Sequence, residues 1–216
     1  MTEATYELVI GDKRWSSWSL RPWLLLKVFG IPFRETLVRL RQTGTSEEVA
    51  RHSPSGKVPL LKADGLLIWD SLAIMEFVGE EHPGKPIWPA DRAKRAIARA
   101  VSAEMHSGFY ALRAGMPMDF LNVYASSPVE EAVGADIRRI VALWRDCRAR
   151  FGDGGDFLFG AFSAADAMFA PVVTRLRSYA VDLPAFGDDG AAARYCETMW
   201  GLAEMAEWGE GAALEK

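Results

Sequence analysis

The sequence predicts an α/β domain followed by an all-helical domain. β-like runs alternate with helical patterns only up to about residue 84, and after that point every periodic segment is helical. The two parts are joined by residues 82–89, which hold three prolines and a glycine and so break both helices and strands. We therefore expect an α/β domain at 1–84, a linker at 85–90 and a helical domain at 91–216.

The first domain opens with a βαβ unit. Residues 6–10 alternate between apolar and polar side chains and predict a strand, and residues 32–39 predict a second one. A helix lies between them, and Gly30 ends it. Pro22 belongs in a first helical turn, so we expect this helix to begin near Trp18 or Ser19. One intervening helix suits parallel pairing of the two strands.

The rest of the first domain reads as α–ββα. Thr45 and Glu48 form a capping-box pattern that predicts a short helix. Residues 58–61 and 66–69 read as two short strands, and the Asp64-Gly65 pair between them favours a tight hairpin. Asp70-Ser71 then caps a third helix. The prediction is a four-stranded mixed sheet with helices, in the order βαβ–α–ββα.

In the helical domain, start signals mark several helices. Asp91 opens a long helix, and the run from Ser127 to Glu130 combines an N-cap residue, a proline and a glutamate. Ser163 and Asp166 form another capping box, and the segment after it is apolar on nearly every side. We expect that segment at the centre of the domain and a last helix over residues 191–207.

Composition excludes several function classes. The net charge is −4 and is spread along the chain, so no basic face indicates nucleic acid or anionic lipid. Two cysteines outside any CxxC pattern and three scattered histidines predict no metal site. The longest charge-free run, 120–129, is about half of the roughly twenty residues that a membrane span needs. The N-terminus has no signal-peptide pattern, so we expect a cytoplasmic protein without a membrane partner.

Three polar stretches are candidates for chemistry. Ser16 and Ser17 lie just ahead of the first helix, where hydroxyls and the helix dipole can bind an anion, or where a serine simply caps the helix. If the Val58-Pro59 bond were cis, Val58 would offer its backbone to an extended peptide. Asp70-Ser71 is either a plain capping pair or a holder of a ligand's carboxylate and ammonium.

Together, in this order, these stretches resemble the cytosolic glutathione S-transferases, over nearly the whole chain. The run from Ser16 to Arg21 is similar to the Ser-Ser-Cys-x-x-Arg stretch of zeta-like, serine-type members. The resemblance implies a thioredoxin-like first domain, a cis bond at Val58-Pro59, and glutathione as co-substrate without a metal.

The resemblance also implies roles for single residues. Ser16 would hydrogen-bond the glutathione sulfur, with Ser17 as the alternative. Val58, beside Pro59, would pair with the cysteinyl backbone. Two further contacts concern the ends of the tripeptide: Asp70 and Ser71 would hold the γ-glutamyl end, and Lys57 would reach the glycine carboxylate.

The resemblance also implies that the first helix of the second domain faces the glutathione sulfur. The expected acceptor pocket therefore contains Trp18, His106, Phe109 and Arg113. Core packing is the competing interpretation for Phe109.

We expect a glutathione S-transferase that conjugates the thiolate of glutathione to small electrophiles and contributes to detoxification, with a serine hydroxyl stabilising the thiolate. Trp18 stands where zeta-like members have cysteine, which favours transferase over isomerase chemistry. The alternatives are a glutathione-dependent cis-trans isomerase of the maleylacetoacetate type and a non-catalytic binding module. The resemblance further implies a homodimer.

Overall fold

The computed structural model describes residues 6–215 and contains the predicted four-stranded mixed sheet. The strand order is β2-β1-β3-β4, with β1 parallel to β2 and antiparallel to β3, and β3 antiparallel to β4. The strands are β1 (Tyr6–Gly11), β2 (Phe33–Val38), β3 (Leu60–Ala63) and β4 (Leu66–Ile68). Asp64 and Gly65 both take positive φ, 46° and 84°, as the predicted hairpin turn requires.

Three helices complete the first part of the chain: α1 (Ser17–Val28), α2 (Thr45–His52) and α3 (Ser71–Glu81). The helix α1 begins one residue earlier than predicted, so Pro22 lies in its second turn. Because proline has no N–H, the C=O of Trp18 lacks its usual helical partner there.

The capping box predicted for α2 is wrong. Gly44 occupies the N-cap position with a φ of 86°. The hydroxyl of Thr45 instead donates to the C=O of Arg39 at 2.8 Å and accepts from the N–H of Gln42 at 3.1 Å. The threonine therefore closes the loop before the helix, and glycine supplies the left-handed turn that enters it.

The second part of the chain is helical, as predicted, and α7 is buried along nearly its whole length. Its helices are α4 (Arg92–Ser107), α5 (Tyr110–Gly115), α6 (Glu131–Phe151), α7 (Ala164–Ser178), α8 (Ala191–Trp200) and α9 (Ala203–Leu214), with a 3₁₀ turn at Leu183–Phe186. Within residues 6–215, no helix has both the length and the apolar character that crossing a membrane requires.

In the helical part, a predicted helix start is correct where the capping side chain forms its hydrogen bond. The carboxylate of Asp91 accepts the N–H of Lys94 at 2.9 Å, and the capping box of Ser163 and Asp166 is formed. The helix predicted from Ser127 to Glu130 begins later, at Glu131, because the chain stays extended through Glu130.

The predicted last helix is two helices. The chain leaves α8 at Gly201, and Leu202 takes an extended ψ of 134° before α9 begins. Glycine is among the poorest helix formers, which accounts for a break at this residue.

Helices α1 and α7 pack together and join the two parts of the chain. The guanidinium of Arg21 is buried between them, where Nε donates to the C=O of Met168 at 3.0 Å and Nη1 donates to the C=O of Ser17 at 3.1 Å. Burial, with further positive charge from Arg175 and Arg113, holds the pKa of Arg21 well below its usual range.

The loop between β1 and α1 is fastened by the helical part on two sides. The N–H of Lys13 donates to the Glu215 carboxylate at 2.8 Å, and Nε1 of Trp208 donates to the C=O of Lys13 at 2.7 Å. One residue later, Arg14 binds both oxygens of the buried Asp119, at 2.9 and 3.0 Å. Contacts from the C-terminal end of the helical part and from the connection between α5 and α6 thus hold the short loop that leads to Ser16 and Ser17.

Candidate functional site

A cavity of about 510 Å³ lies where the ends of α1, α3 and α4 meet the segment before β3. It brings together all the predicted site residues except Ser16, Ser17 and Phe109. The lining residues are Trp18, Ser55, Lys57, Val58, Pro59, Trp69, Asp70, Ser71, His106 and Arg113.

One wall of the cavity offers free backbone. The Val58-Pro59 peptide bond is cis, and Val58 lies two residues before β3. In residues 6–215, neither the N–H nor the C=O of Val58 makes a hydrogen bond. An extended peptide can pair with such an unoccupied donor and acceptor, as an added strand pairs with a sheet edge.

The wall at the start of α3 carries Asp70 and Ser71. Asp70 caps the helix, with Oδ1 accepting the N–H of Leu72 at 2.9 Å, and its Oδ2 lies 2.7 Å from Nε2 of His106. The hydroxyl of Ser71 is buried and has no hydrogen-bond partner within the described chain. Buried polar groups are nearly always paired, so this hydroxyl marks a position where a ligand can supply the missing partner.

The two candidate serines differ in where their hydroxyls point. Ser16 is only 6% exposed, and its Oγ donates to Oγ of Ser19 at 2.7 Å, which in turn accepts the N–H of Gly11 at 3.1 Å. Ser17 is half-buried in the first turn of α1, and its hydroxyl makes no hydrogen bond with any described residue. Ser17 therefore has the uncommitted hydroxyl of the pair.

Cationic groups surround the indole of Trp18. The guanidinium carbons of Arg21 and Arg113 lie 4.1 and 4.8 Å from the ring centroid, and the His106 ring meets the indole edge-on at 5.3 Å. Both arginines lie within reach of a favourable cation–π contact. Phe109 is 7% exposed and belongs to the core, where its φ of 53° accompanies the break between α4 and α5.

Two lining residues were given no role in the sequence analysis. Ser55 lies in the turn before Gly56, and Trp69 stands directly before Asp70 while 48% exposed. Their position beside predicted site residues was the available signal.

Within residues 6–215, no cluster of three or more His, Cys, Asp or Glu side chains could hold a metal ion. Burial raises the pKa of Cys147 and of Cys196 to about 12.

Family models match both parts of the chain. Residues 15–81 match the model of the glutathione S-transferase N-terminal domain, and residues 128–198 match that of the C-terminal domain.

Curated proteins are similar over most of the length. The chain is 30% identical over 171 residues to the maleylacetoacetate isomerase of Rattus norvegicus, covering 77% of this chain and 76% of the rat protein. It is 27% identical over 185 residues to a probable maleylacetoacetate isomerase of Caenorhabditis elegans, covering 79% and 86%.

Solved structures share the fold. A glutathione transferase homolog from Burkholderia GL BGR1, with bound glutathione, superposes with a TM-score of 0.72 at 22% identity, over 98% of this chain and all of the other. Ure2p in complex with glutathione gives a TM-score of 0.70 at 18% identity, over 97% and 96%.

Proposed function

Since the chain belongs to the glutathione S-transferase family, we propose that it uses glutathione as a catalytic thiol to isomerise a cis-enone dicarboxylate of the maleylacetoacetate type. The names of its curated relatives support this reaction over conjugation. This revises the expectation from sequence, in which isomerisation was the alternative.

The observation that carries the proposal is the unpartnered, buried hydroxyl of Ser71, beside the carboxylate of Asp70 and in the same cavity as the free backbone of Val58. Glutathione has an ammonium and a carboxylate at its γ-glutamyl end and an amide backbone at its cysteine. Asp70 binds the ammonium, Ser71 the carboxylate, and Val58 the cysteinyl backbone. Lys57, in the same cavity, binds the glycine carboxylate.

With the tripeptide in this position, its sulfur lies towards the start of α1. A free thiol has a pKa of about 8.5, so a donor hydroxyl and a helix N-terminus are needed to favour the thiolate at neutral pH. Of the two serines, Ser17 is the better donor, because the proton of Ser16 is already directed to Ser19. The thiolate comes from glutathione, since both cysteines of the chain have raised pKa values.

The position of Arg113 favours an acceptor substrate that carries a negative charge. It lines the cavity and lies against Trp18, and no carboxylate within residues 6–215 forms an ion pair with it. A carboxylate of the acceptor can occupy that position. The thiolate then adds to one carbon of the double bond, its electrons move to the conjugated carbonyl, the new single bond rotates, and expulsion of the thiolate restores the double bond. No glutathione is consumed.

Conjugation to small electrophiles is the second candidate, and Trp18 favours it. Trp18 occupies the position of the cysteine in the motif that the chain resembles, and its indole lines the cavity. A transferase would keep the thioether product and consume one thiol for each turnover.

One experiment separates these candidates. The protein is given a cis-enone dicarboxylate and glutathione at a small fraction of the substrate concentration, and product and free thiol are both measured. We expect many turnovers with constant free thiol. Stoichiometric loss of thiol would instead support conjugation, and binding of glutathione without turnover of this substrate or of model electrophiles would support a non-catalytic binding module.

The expected homodimer is part of the same proposal. Three large apolar side chains on and after the edge strand β4 are exposed: Leu66 by 55%, Leu67 by 45% and Trp69 by 48%. A second copy of the chain would cover them. Light scattering on the wild type and on Leu67→Glu tests this, because the charge should shift the mass towards that of a monomer.

A further inference from the structure

His106 has a role that the expected acceptor pocket does not describe. It lies near the end of α4, yet its Nε2 is 2.7 Å from Oδ2 of Asp70, at the start of α3. The two residues are 36 positions apart and come from different parts of the chain. The second part thus reaches across to Asp70, the one carboxylate that lines the cavity among residues 6–215.

Two groups contact the imidazole of His106. Its ring meets the indole of Trp18 edge-on at 5.3 Å, and its Nε2 lies 2.7 Å from Oδ2 of Asp70. The ionised carboxylate of Asp70 accepts but cannot donate, so Nε2 of His106 carries the proton between them. With Leu72 N–H on Oδ1 and His106 on Oδ2, the orientation of the carboxylate is fixed.

Each carboxylate oxygen has two acceptor sites, so Asp70 can accept these two donors and still bind a ligand ammonium. We infer that His106 is a positioning residue of the glutathione site, which orients Asp70 while neutral and weakens glutathione binding when protonated. This inference rests on the proposed function, because it takes Asp70 as the partner of the γ-glutamyl ammonium.

Protonation matters because the added charge lies next to Asp70. An imidazolium at 2.7 Å offsets the negative charge that attracts the ammonium, and it also repels the ammonium directly. Four charged groups lie around His106: Asp70 at the start of α3, Arg21 on α1, Arg113 on α5 and Lys57 across the cavity. Glu104, which lies on α4 with His106, is paired with Arg139. Acidification that protonates the imidazole should therefore lower the affinity for glutathione.

The test uses S-methylglutathione, whose sulfur cannot ionise, so that the thiol does not contribute to the pH dependence. Calorimetry gives its dissociation constant at about pH 8 and about pH 5.5, the two ends of the histidine range. The variants are His106→Gln, which keeps an N–H donor but cannot gain a proton, and His106→Ala, which loses the donor. His82→Gln is the matched control, because it makes the same replacement at the opposite end of α3, outside the cavity.

The wild type and His82→Gln should lose roughly fivefold or more in affinity at the acidic end, whereas His106→Gln should match the wild type at the alkaline end and change less than about twofold. His106→Ala should bind about tenfold more weakly at the alkaline end, a typical effect for a donor to a charged group. In an Asp70→Asn background, His106→Ala should have no additional effect, since the histidine acts through the carboxylate.

Two results would overturn the inference: an unchanged pH dependence in His106→Gln, or additive losses in the double variant. Failure of the wild type to bind S-methylglutathione at either pH would refute the proposed function as well, so the two failures are distinguishable. Circular dichroism of each variant verifies that the fold is intact.

Discussion

Replacing Ser71 by alanine should change the stability of the protein and its affinity for glutathione in different directions. The hydroxyl of Ser71 is buried and makes no hydrogen bond with another described residue, so in the ligand-free protein its removal breaks no such bond within the chain. Alanine removes that group and favours the first helical position at least as well as serine does. The variant should therefore be as stable as the wild type or more stable, and yet bind glutathione less tightly.

The magnitudes follow from the hydrogen-bond inventory. An unsatisfied buried polar group costs about 1–3 kcal/mol, so its removal should raise the free energy of unfolding by up to about 1 kcal/mol after loss of its remaining packing. For a chain of this size that corresponds to about 2–4 °C in Tm. A hydrogen bond to the charged γ-glutamyl carboxylate is worth about 1.5–3 kcal/mol, so affinity should fall at least about tenfold.

Urea denaturation with and without saturating glutathione measures both effects. A tenfold loss of affinity reduces the stabilisation by ligand by about 1.4 kcal/mol, so the order of stability of the two proteins should reverse when glutathione is added. Ser163→Ala is the matched control, since Ser163 is also a buried serine at a helix start but donates to Asp166 at 2.9 Å. Its loss should lower the free energy of unfolding by about 1–2 kcal/mol with or without ligand.

Equal destabilisation by Ser71→Ala and Ser163→Ala would contradict this reasoning, because it would mean that Ser71 has a structural partner. Unchanged glutathione affinity in Ser71→Ala would remove the residue from the binding site.

Three further predictions concern ionisation. Ser17→Ala should raise the pKa of the bound glutathione thiol by about one unit, and Ser16→Ala should raise it less. Ultraviolet absorbance of the thiolate measures both values. A larger effect of Ser16→Ala would mean that Ser16 is the residue that hydrogen-bonds the thiol. Burial raises the pKa of Asp166 from 3.8 to about 6, so its contribution to the free energy of unfolding should be largest below about pH 4 and decline as the pH rises through 6. Asp166→Asn should abolish that decline in urea titrations at several pH values, and an unchanged profile would exclude the raised pKa. Alkylation of the protein at neutral pH should leave its activity intact, because burial raises the pKa of Cys147 and Cys196 to about 12. If alkylation inactivated the wild type but not Cys196→Ser, the proposal that the reacting thiolate comes from glutathione would be contradicted.

Local signals gave much of the fold. The Asp64-Gly65 turn, the Asp70 cap and the Ser163–Asp166 capping box were predictable because each depends on residues within three positions. Thr45 misled the prediction for the same reason. Its hydroxyl could either cap α2 or close the preceding loop, and the hydrogen bond to the C=O of Arg39 shows that it closes the loop.

The sequence predicted most of the residues that line the candidate cavity, but not the contacts that they make. The resemblance brought Val58, Asp70 and Ser71 together, and they do line one cavity. The direction of the Ser16 hydroxyl depends on Ser19 and on the N–H of Gly11 at the end of a strand, which no spacing rule encodes. The contact between His106 and Asp70 joins α4 to α3, so it exists only once the two parts of the chain have packed.

The double fastening of the β1–α1 loop limits how this protein can be recombined with its relatives. A chimera that kept residues 6–81 but took its helices from another member would lose the contacts that Lys13 and Arg14 make with the helical part, since Glu215, Trp208 and Asp119 all belong to the helices and their connections, and would keep the pairing of Lys13 with Glu35. The segment that leads to Ser17 would then be held by fewer contacts, even though every residue of the sheet was retained. Chimeras within this family should therefore exchange Lys13 and Arg14 along with the helical part. A crossover point at the linker would separate these two residues from the helical residues that they contact.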